Sequence, residues 1–144
     1  MKEIDDIIIN KVESIRKCVS AAKNNYFADK NDFLENFVRQ DAAILNIQRA
    51  CEQVIDLANH IVRVLKLGAP NHARDSFRML HDKNIITKEM MDEMGKMIGF
   101  RNIAVHAYQE IDIKIVVLII ETKLDNLLKL ADLILSRHDD FILQ

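Results

Sequence analysis

Ile111-Asp112-Ile113-Lys114-Ile115-Val116-Val117-Leu118-Ile119-Ile120 is the stretch on which the fold class turns. Its first half alternates apolar and charged residues, and its second half is mostly β-branched, so read alone it is a strand. A strand needs a partner, and no other segment of the chain offers one. The apolar stripe continues instead at helical steps through Leu124, Leu127, Ala131 and Ile134. The spacing therefore predicts one helix from about Ile113 to Ser136, and an all-α chain.

Upstream, the same period recurs. Ile4, Ile7, Ile8, Val12, Ile15, Val19 and Ala22 mark one face of a helix from about Lys2 to Ala22, with Asn24-Asn25 as its end and Tyr26 to Asn31 as a connector. Asp32 with Glu35 three residues later reads as a capping box. From there a stripe runs through Phe37, Ile44, Cys51, Ile55, Ala58, Val62 and Leu65, with Gly68 as the C-cap and Pro70 as a stop. This predicts a helix of roughly 50 Å at 1.5 Å per residue, a length that suits a partner surface as well as a core. A short helix over Arg74–Asp82 turns Phe77 and Leu80 inward. Thr87 caps another that carries Met90, Met91, Met94, Met97 and Ile98.

Composition agrees with this outline. The chain has 144 residues, 49% hydrophobic and 29% charged, with 3 Gly and 1 Pro. That is enough chain for one domain over residues 1–144 with a real core, and the scarcity of Gly and Pro favours long helices. Lys, Glu and Asp punctuate every apolar run, so none is expected to span a membrane. The start Met1-Lys2-Glu3-Ile4-Asp5-Asp6 is acidic and does not read as a signal peptide. Cys18 and Cys51 fall on apolar stripes and read as small core residues, which suits a reducing cytoplasm. The net charge of −2 argues against a broadly basic nucleic-acid surface. The charge is uneven, however: Arg63, Lys66, Arg74, Arg78 and Lys83 face only Asp75 and Asp82 in their stretch.

Gly99-Phe100-Arg101-Asn102-Ile103-Ala104-Val105-His106-Ala107-Tyr108 breaks the apolar pattern. Arg is a fixed cation with a planar fork of donors suited to phosphate. His both gives and takes a proton near neutrality. Together they are a minimal kit for breaking a phosphodiester. Five residues along a helix put Arg101 and His106 about 140° apart, whereas Asn102 and His106 share a face. A loosened helix here would bring the three together.

The pattern Arg-Asn-x-x-x-His-x-Tyr resembles the Arg-x4-His signature of the HEPN superfamily, in the Arg-x4-His-x-Tyr form of HepT-type toxins from HEPN/MNT toxin–antitoxin pairs. Gly99-Phe100 before it and Ile111-Asp112 after it fit the same pattern, as do chain length and helix order. The resemblance covers nearly the whole chain, and its specific part is Gly99–Tyr108. It implies an up-and-down bundle of four to five helices, homodimeric, with two motifs facing one cleft. It implies a prokaryotic, cytoplasmic toxin that cleaves messenger or transfer RNA without a metal or other cofactor. His106 would act as general base or acid, Arg101 would stabilise the phosphorane, and Asn102 would support them. One histidine cannot be base and acid at once, which is a physical reason to expect two copies. The implied partner is an MNT-type nucleotidyltransferase antitoxin that transfers AMP to Tyr108.

Other residues leave alternatives open. Asp41 lies four residues after Phe37 and three before Ile44, on an otherwise apolar stripe. It is either an acid at the stripe's edge or a group that orients Arg101 or His106. His60, His72, His81 and His138 show no metal-ligand spacing. The methionines from Met90 to Met97 suit core or dimer packing. The basic stretch Arg63–Lys83 is either a solvated face or a rim that guides RNA. A reading of a different class also fits: a helical module that binds nucleotide or the nucleotidyltransferase without cutting RNA.

Overall fold

The computed structural model describes residues 5–141, and every regular element among them is helical. Ile111–Ile120 is not a strand: Asp112 caps a helix there by accepting from the Lys114 amide at 2.9 Å. Seven α-helices follow in order among the described residues: α1 Asp6–Phe27, α2 Lys30–Phe33, α3 Phe37–Val64, α4 Ala73–Asp82, α5 Lys88–His106, α6 Ile113–Thr122 and α7 Leu124–Ser136. Short 3₁₀ turns lie at Tyr108–Glu110 and His138–Phe141.

Several boundaries differ from expectation. Helix α1 does not end at Asn24-Asn25 but runs on to Phe27, because Tyr26 is core. The Tyr26 phenol donates to Glu121 at 2.8 Å. Lys2 and Ile4, placed in this helix by their spacing, lie outside the described residues. Asp5 caps α1 through the Ile7 amide at 2.8 Å. Ile8, Val12, Ile15, Val19 and Ala22 are buried, while Ile7 is half exposed.

The long second helix is split. Asp32 and Glu35 do not form its capping box. Asp29 caps the single turn of α2, and Asn36 caps α3 by accepting from the Arg39 amide at 3.2 Å. Asp32 accepts instead from the Asn36 side chain at 2.9 Å and pairs with Arg39 at 2.9 Å. The extended backbone at Asn36 (φ −113°, ψ 101°) lets Phe33 turn fully inward. Phe37, expected on the buried stripe, is 79% exposed at the first turn of α3.

At its other end α3 stops before Gly68. The Leu67 amide bonds to Val62 and the Lys66 amide to Arg63, at 3.0 and 3.2 Å, with Lys66 in the left-handed region (φ 54°). This is a Schellman closure that uses a lysine where glycine is usual. The last predicted helix is likewise two, α6 and α7, meeting at Lys123 (φ −117°, ψ −29°). The Thr122 hydroxyl donates back to the Leu118 carbonyl at 2.7 Å, a bond that bends helices.

The long helices pack antiparallel. Asp5 meets His60, and Lys11 meets Asp56 at 3.3 Å, so α1 and α3 run in opposite directions. Arg16–Asp132 at 2.7 Å and Lys23–Asp125 at 2.5 Å align α1 against α7 in the same sense. Cys51, whose thiol reaches the Met97 carbonyl at 3.7 Å, places α5 along α3. Helix α4 packs on α3 and α5 and is tied to α3 by a hydrogen bond from Ser76 to Asn59. The core is continuous through α1, α3, α5 and α7, and includes Ile15, Ile47, Leu57, Met94, Leu127 and Leu130. No described helix is long and apolar enough to cross a membrane.

Candidate active site

Helix α5 carries the motif to its last residue. Thr87 caps its start by accepting from the Met90 amide at 3.1 Å, as its position predicts. Met94, Met97, Ile98, Phe100 and Ala104 face the core. The helix does not loosen at the motif. Arg101 through His106 stay helical, and the Ala107 amide still bonds to the Ile103 carbonyl at 2.8 Å. Arg101 and His106 therefore keep their separation of about 140°, and one chain does not bring them onto one face. Asn102 and His106 do share a face.

Arg101 is half-buried, and its charge reaches the Cys51 thiol of α3. It makes no ion pair among the described residues, and its Nε is buried without a hydrogen-bond partner. Arg16, Arg39, Arg78 and Arg137, by contrast, each hold a carboxylate. A buried donor left unmade costs about 1–3 kcal/mol, so such a group calls for an acceptor from outside the chain. Burial pushes the Cys51 thiol up to about 12, and the positive charge of Arg101 only partly offsets it. Cys51 is thus a neutral core residue, not a nucleophile. His106 is exposed at the end of α5.

Tyr108 leaves the helix. Ala107 adopts φ −142° and ψ 48°, and the chain turns through Tyr108–Glu110 before Asp112 starts α6. This turn lays Tyr108 against the beginning of α3, where its phenol donates to Asp41. Partial burial raises the phenol first, and the hydrogen bond and charge of Asp41 raise it further, to about 12. Asp41 is exposed, not set into the apolar stripe, and its described partner is Tyr108 rather than Arg101 or His106. The sequence placed both residues as candidates but not as a pair, since Asp41 is in α3 and Tyr108 is in the turn after α5, 67 residues on, with no local spacing between them. Among the described residues no three His, Cys, Asp or Glu are grouped to hold a metal.

The model of the Ribonuclease HepT-like family matches residues 5–134. The chain belongs to that family. It is similar to the mRNA nuclease HepT of Shewanella oneidensis, with 44% identity over 131 residues, 91% of this chain and 98% of that one. It is 28% identical over 113 residues to the tRNA nuclease HepT of Aphanizomenon flos-aquae, covering 78% and 77% of the two chains. A solved structure of the tri-AMPylated Shewanella oneidensis HEPN toxin in complex with MNT antitoxin matches with a TM-score of 0.87 and 44% identity, over 92% of this chain and 99% of that one. The HEPN fold and the membership implied by the Arg-x4-His-x-Tyr pattern both hold for this HepT-like chain.

Proposed function

We propose that this HepT-like chain is the toxin of a toxin–antitoxin pair, an endoribonuclease whose reacting groups are Arg101 and His106. The observation that carries the reading is Arg101: an unneutralised guanidinium with an orphaned, buried Nε, five residues from an exposed imidazole, in a chain 44% identical to an mRNA nuclease. A phosphate oxygen supplies the acceptor that Arg101 lacks.

The chemistry follows from the groups. The ribose 2′-hydroxyl attacks the adjacent phosphorus while one His106 takes its proton. The 5′-oxygen leaves as it receives a proton from a second, protonated His106. The products are a 2′,3′-cyclic phosphate and a 5′-hydroxyl end. Arg101 stabilises the charge that builds on the phosphorane, Asn102 supports the imidazole from the preceding turn, and no metal takes part.

Two imidazoles require two chains. Support for a homodimer comes from apolar side chains left exposed around the motif: Phe37, Val38 and Leu45 on α3, and Ile103 and Val105 on α5. Scattered single apolar residues need no explanation, but a group beside a motif marks an interaction surface.

The partner is an MNT-type nucleotidyltransferase antitoxin. It transfers AMP from ATP to the Tyr108 oxygen, with loss of pyrophosphate. The adduct sets a phosphodiester two residues from His106, where it repels RNA phosphates. The chain works in the prokaryotic cytoplasm.

The deciding experiment is cleavage of RNA by purified wild type, His106→Ala and Arg101→Ala, with growth arrest scored on expression. Both variants should lose cutting and toxicity while keeping wild-type helical content. Wild-type cutting should persist in EDTA and leave a 2′,3′-cyclic end. Undiminished cutting by His106→Ala, or strict dependence on a divalent ion, overturns the mechanism. A wild type that neither cuts nor arrests growth is a binding module instead.

A further inference from the structure

Between α4 and α5 lies a cleft of about 480 Å³, lined by Arg74, Asp75, Arg78, Met91, Asp92 and Lys96, with Gly95 in its wall. Arg74 reaches across it. One Nη donates to the Gly95 carbonyl at 2.8 Å. A Cβ at Gly95 would sit 3.6 Å from the Arg74 Nε, and one at Gly99 would sit 3.4 Å from an Nη. The guanidinium therefore lies against α5 within van der Waals reach of Gly95 and Gly99. It uses one of its five donors there and makes no ion pair among the described residues.

The other charges of the cleft are partly spent. Asp75 accepts from the Asn71 and His72 amides at 3.0 and 3.1 Å and pairs with Arg78 at 3.1 Å. Lys96 pairs with Glu93 at 3.3 Å, outside the cleft lining. Asp92 is exposed and has no described cation partner. Arg74 is thus a fixed, fork-shaped cation that its surroundings do not neutralise.

Its place on α5 matters most. Gly95, Gly99, Asn102 and His106 fall at steps of four, three and four, which is one face of an unbroken helix. Arg74 is seated on the first two of these residues. Asn102 is one turn further along the same face, and His106 lies about 10 Å beyond Gly99 at 1.5 Å per residue. A strand whose scissile phosphate lies at His106 and which follows this face meets Arg74 next.

We propose that Arg74, laid on Gly95 and Gly99, is a phosphate-binding subsite for single-stranded RNA that extends the Arg101–His106 site along α5. This rests on the ribonuclease reading above and adds to it a binding residue from α4. A neighbouring phosphate of the same strand takes the free donors of Arg74, so the contact fixes the path of the strand without reading its bases.

The test measures binding of a single-stranded RNA oligomer to the full chain in the His106→Ala background, where RNA is not consumed, with wild-type cleavage scored separately. Arg74→Gln keeps an amide donor for the Gly95 carbonyl and removes the charge. It should weaken binding about tenfold, the scale of one charge-assisted contact. It should also flatten the slope of log affinity against log salt by about 0.7 per chain, as loss of one phosphate contact on a single strand does. Arg74→Lys should keep the salt slope and lose part of the affinity. Melting temperatures show whether either variant has lost its fold, and Arg74→Ala, which removes the charge at an exposed position without leaving a cavity, reports the slope if Arg74→Gln has.

Unchanged affinity and slope in Arg74→Gln overturn the subsite. So does a loss of affinity at unchanged slope, which marks Arg74 as a structural strap, or a loss of nucleotidyltransferase binding with RNA binding intact. A chain that binds RNA through Arg74 but cuts none overturns the ribonuclease reading and keeps the subsite. A chain that cuts RNA while Arg74→Gln binds normally does the reverse.

Discussion

The phenol of Tyr108 donates a hydrogen bond to the carboxylate of Asp41, a residue 67 positions earlier in the chain. That bond joins the turn after α5 to the first turns of α3. It ties the tyrosine of the Arg-x4-His-x-Tyr pattern to a carboxylate that the pattern does not include. Once the oxygen is esterified it has no proton to donate, and a phosphodiester then stands beside an anion. The AMP transfer proposed for Tyr108 would therefore break this link.

Asp41→Asn should lower the Tyr108 phenol from about 12 toward the ordinary 10.0, though not fully, because burial remains. Ultraviolet titration of phenolate absorbance measures it, with Tyr108→Phe identifying the signal. The sign for stability follows. A raised folded-state value means that the stability this group contributes is complete below about 10 and is lost as pH rises toward 12. Tyr26, raised by burial and by Glu121, adds to the same alkaline loss. An Asp41→Asn protein with an unshifted phenol would show that the hydrogen bond has no influence.

Tyr108→Phe should lose modification by ATP and the nucleotidyltransferase. Tyr108 is the one hydroxyl-bearing residue between Gly99 and Thr122, and Tyr26 is buried in the core. The variant should stay wholly or partly toxic, since Arg101 and His106 are intact. Intact-mass measurement checks it: AMP adducts on wild type and none on the variant. An unchanged adduct places the modified residue elsewhere.

In solution the mass should be twice 16.6 kDa. Phe37→Glu puts a charge on a side chain that is 79% exposed, so the monomer's own packing is untouched. Light scattering should show a shift toward monomer, with cleavage falling in step and helical content unchanged. A wild type that is monomeric at micromolar concentration removes the two-histidine cleft.

Acid should destabilise the fold through a few identified carboxylates. Asp75 is lowered by the Asn71 amide first and by His72 and Arg78 as well. Burial raises Asp5, but its bond to His60 and the Ile7 amide outweigh that, and the net shift is downward. Burial likewise opposes the pull of Lys123 and Lys96 on Glu93, and the cations win. Each group then contributes stability that is complete above its unfolded value, 3.8 for the aspartates and 4.5 for Glu93, and is lost as pH falls below it. Asp5→Asn should flatten the acid limb of a melting-temperature profile. A variant whose melting temperature runs parallel to wild type from neutral pH down through the acid limb would show that Asp5 contributes nothing.

Ile47→Ala, at a fully buried position, should cost about 2–5 kcal/mol by lost burial and the cavity left behind. Denaturant unfolding measures it. A cost below 1 kcal/mol would mean that α3 does not anchor the core.

The sequence alone determined what depends on a few neighbouring residues. The stripes of α1, α3, α5 and α7, the Thr87 cap and the inward Phe77 and Leu80 are all set within one or two turns. The family pattern at Gly99–Tyr108 was legible in the same way, because its spacing is local. Tertiary structure decided the rest. The split at Asn36 depends on burying Phe33 against α1, so the apolar period alone runs straight through it. The bend at Lys123 hangs on a Thr122 hydroxyl bond that competes with the helix's own ladder. Asp41 meets Tyr108, Arg74 meets Gly95 and Arg101 lacks an acceptor because tertiary packing sets side by side residues that are far apart in the chain. Periodicity records which face of a helix is buried, and only packing records what that face lies against.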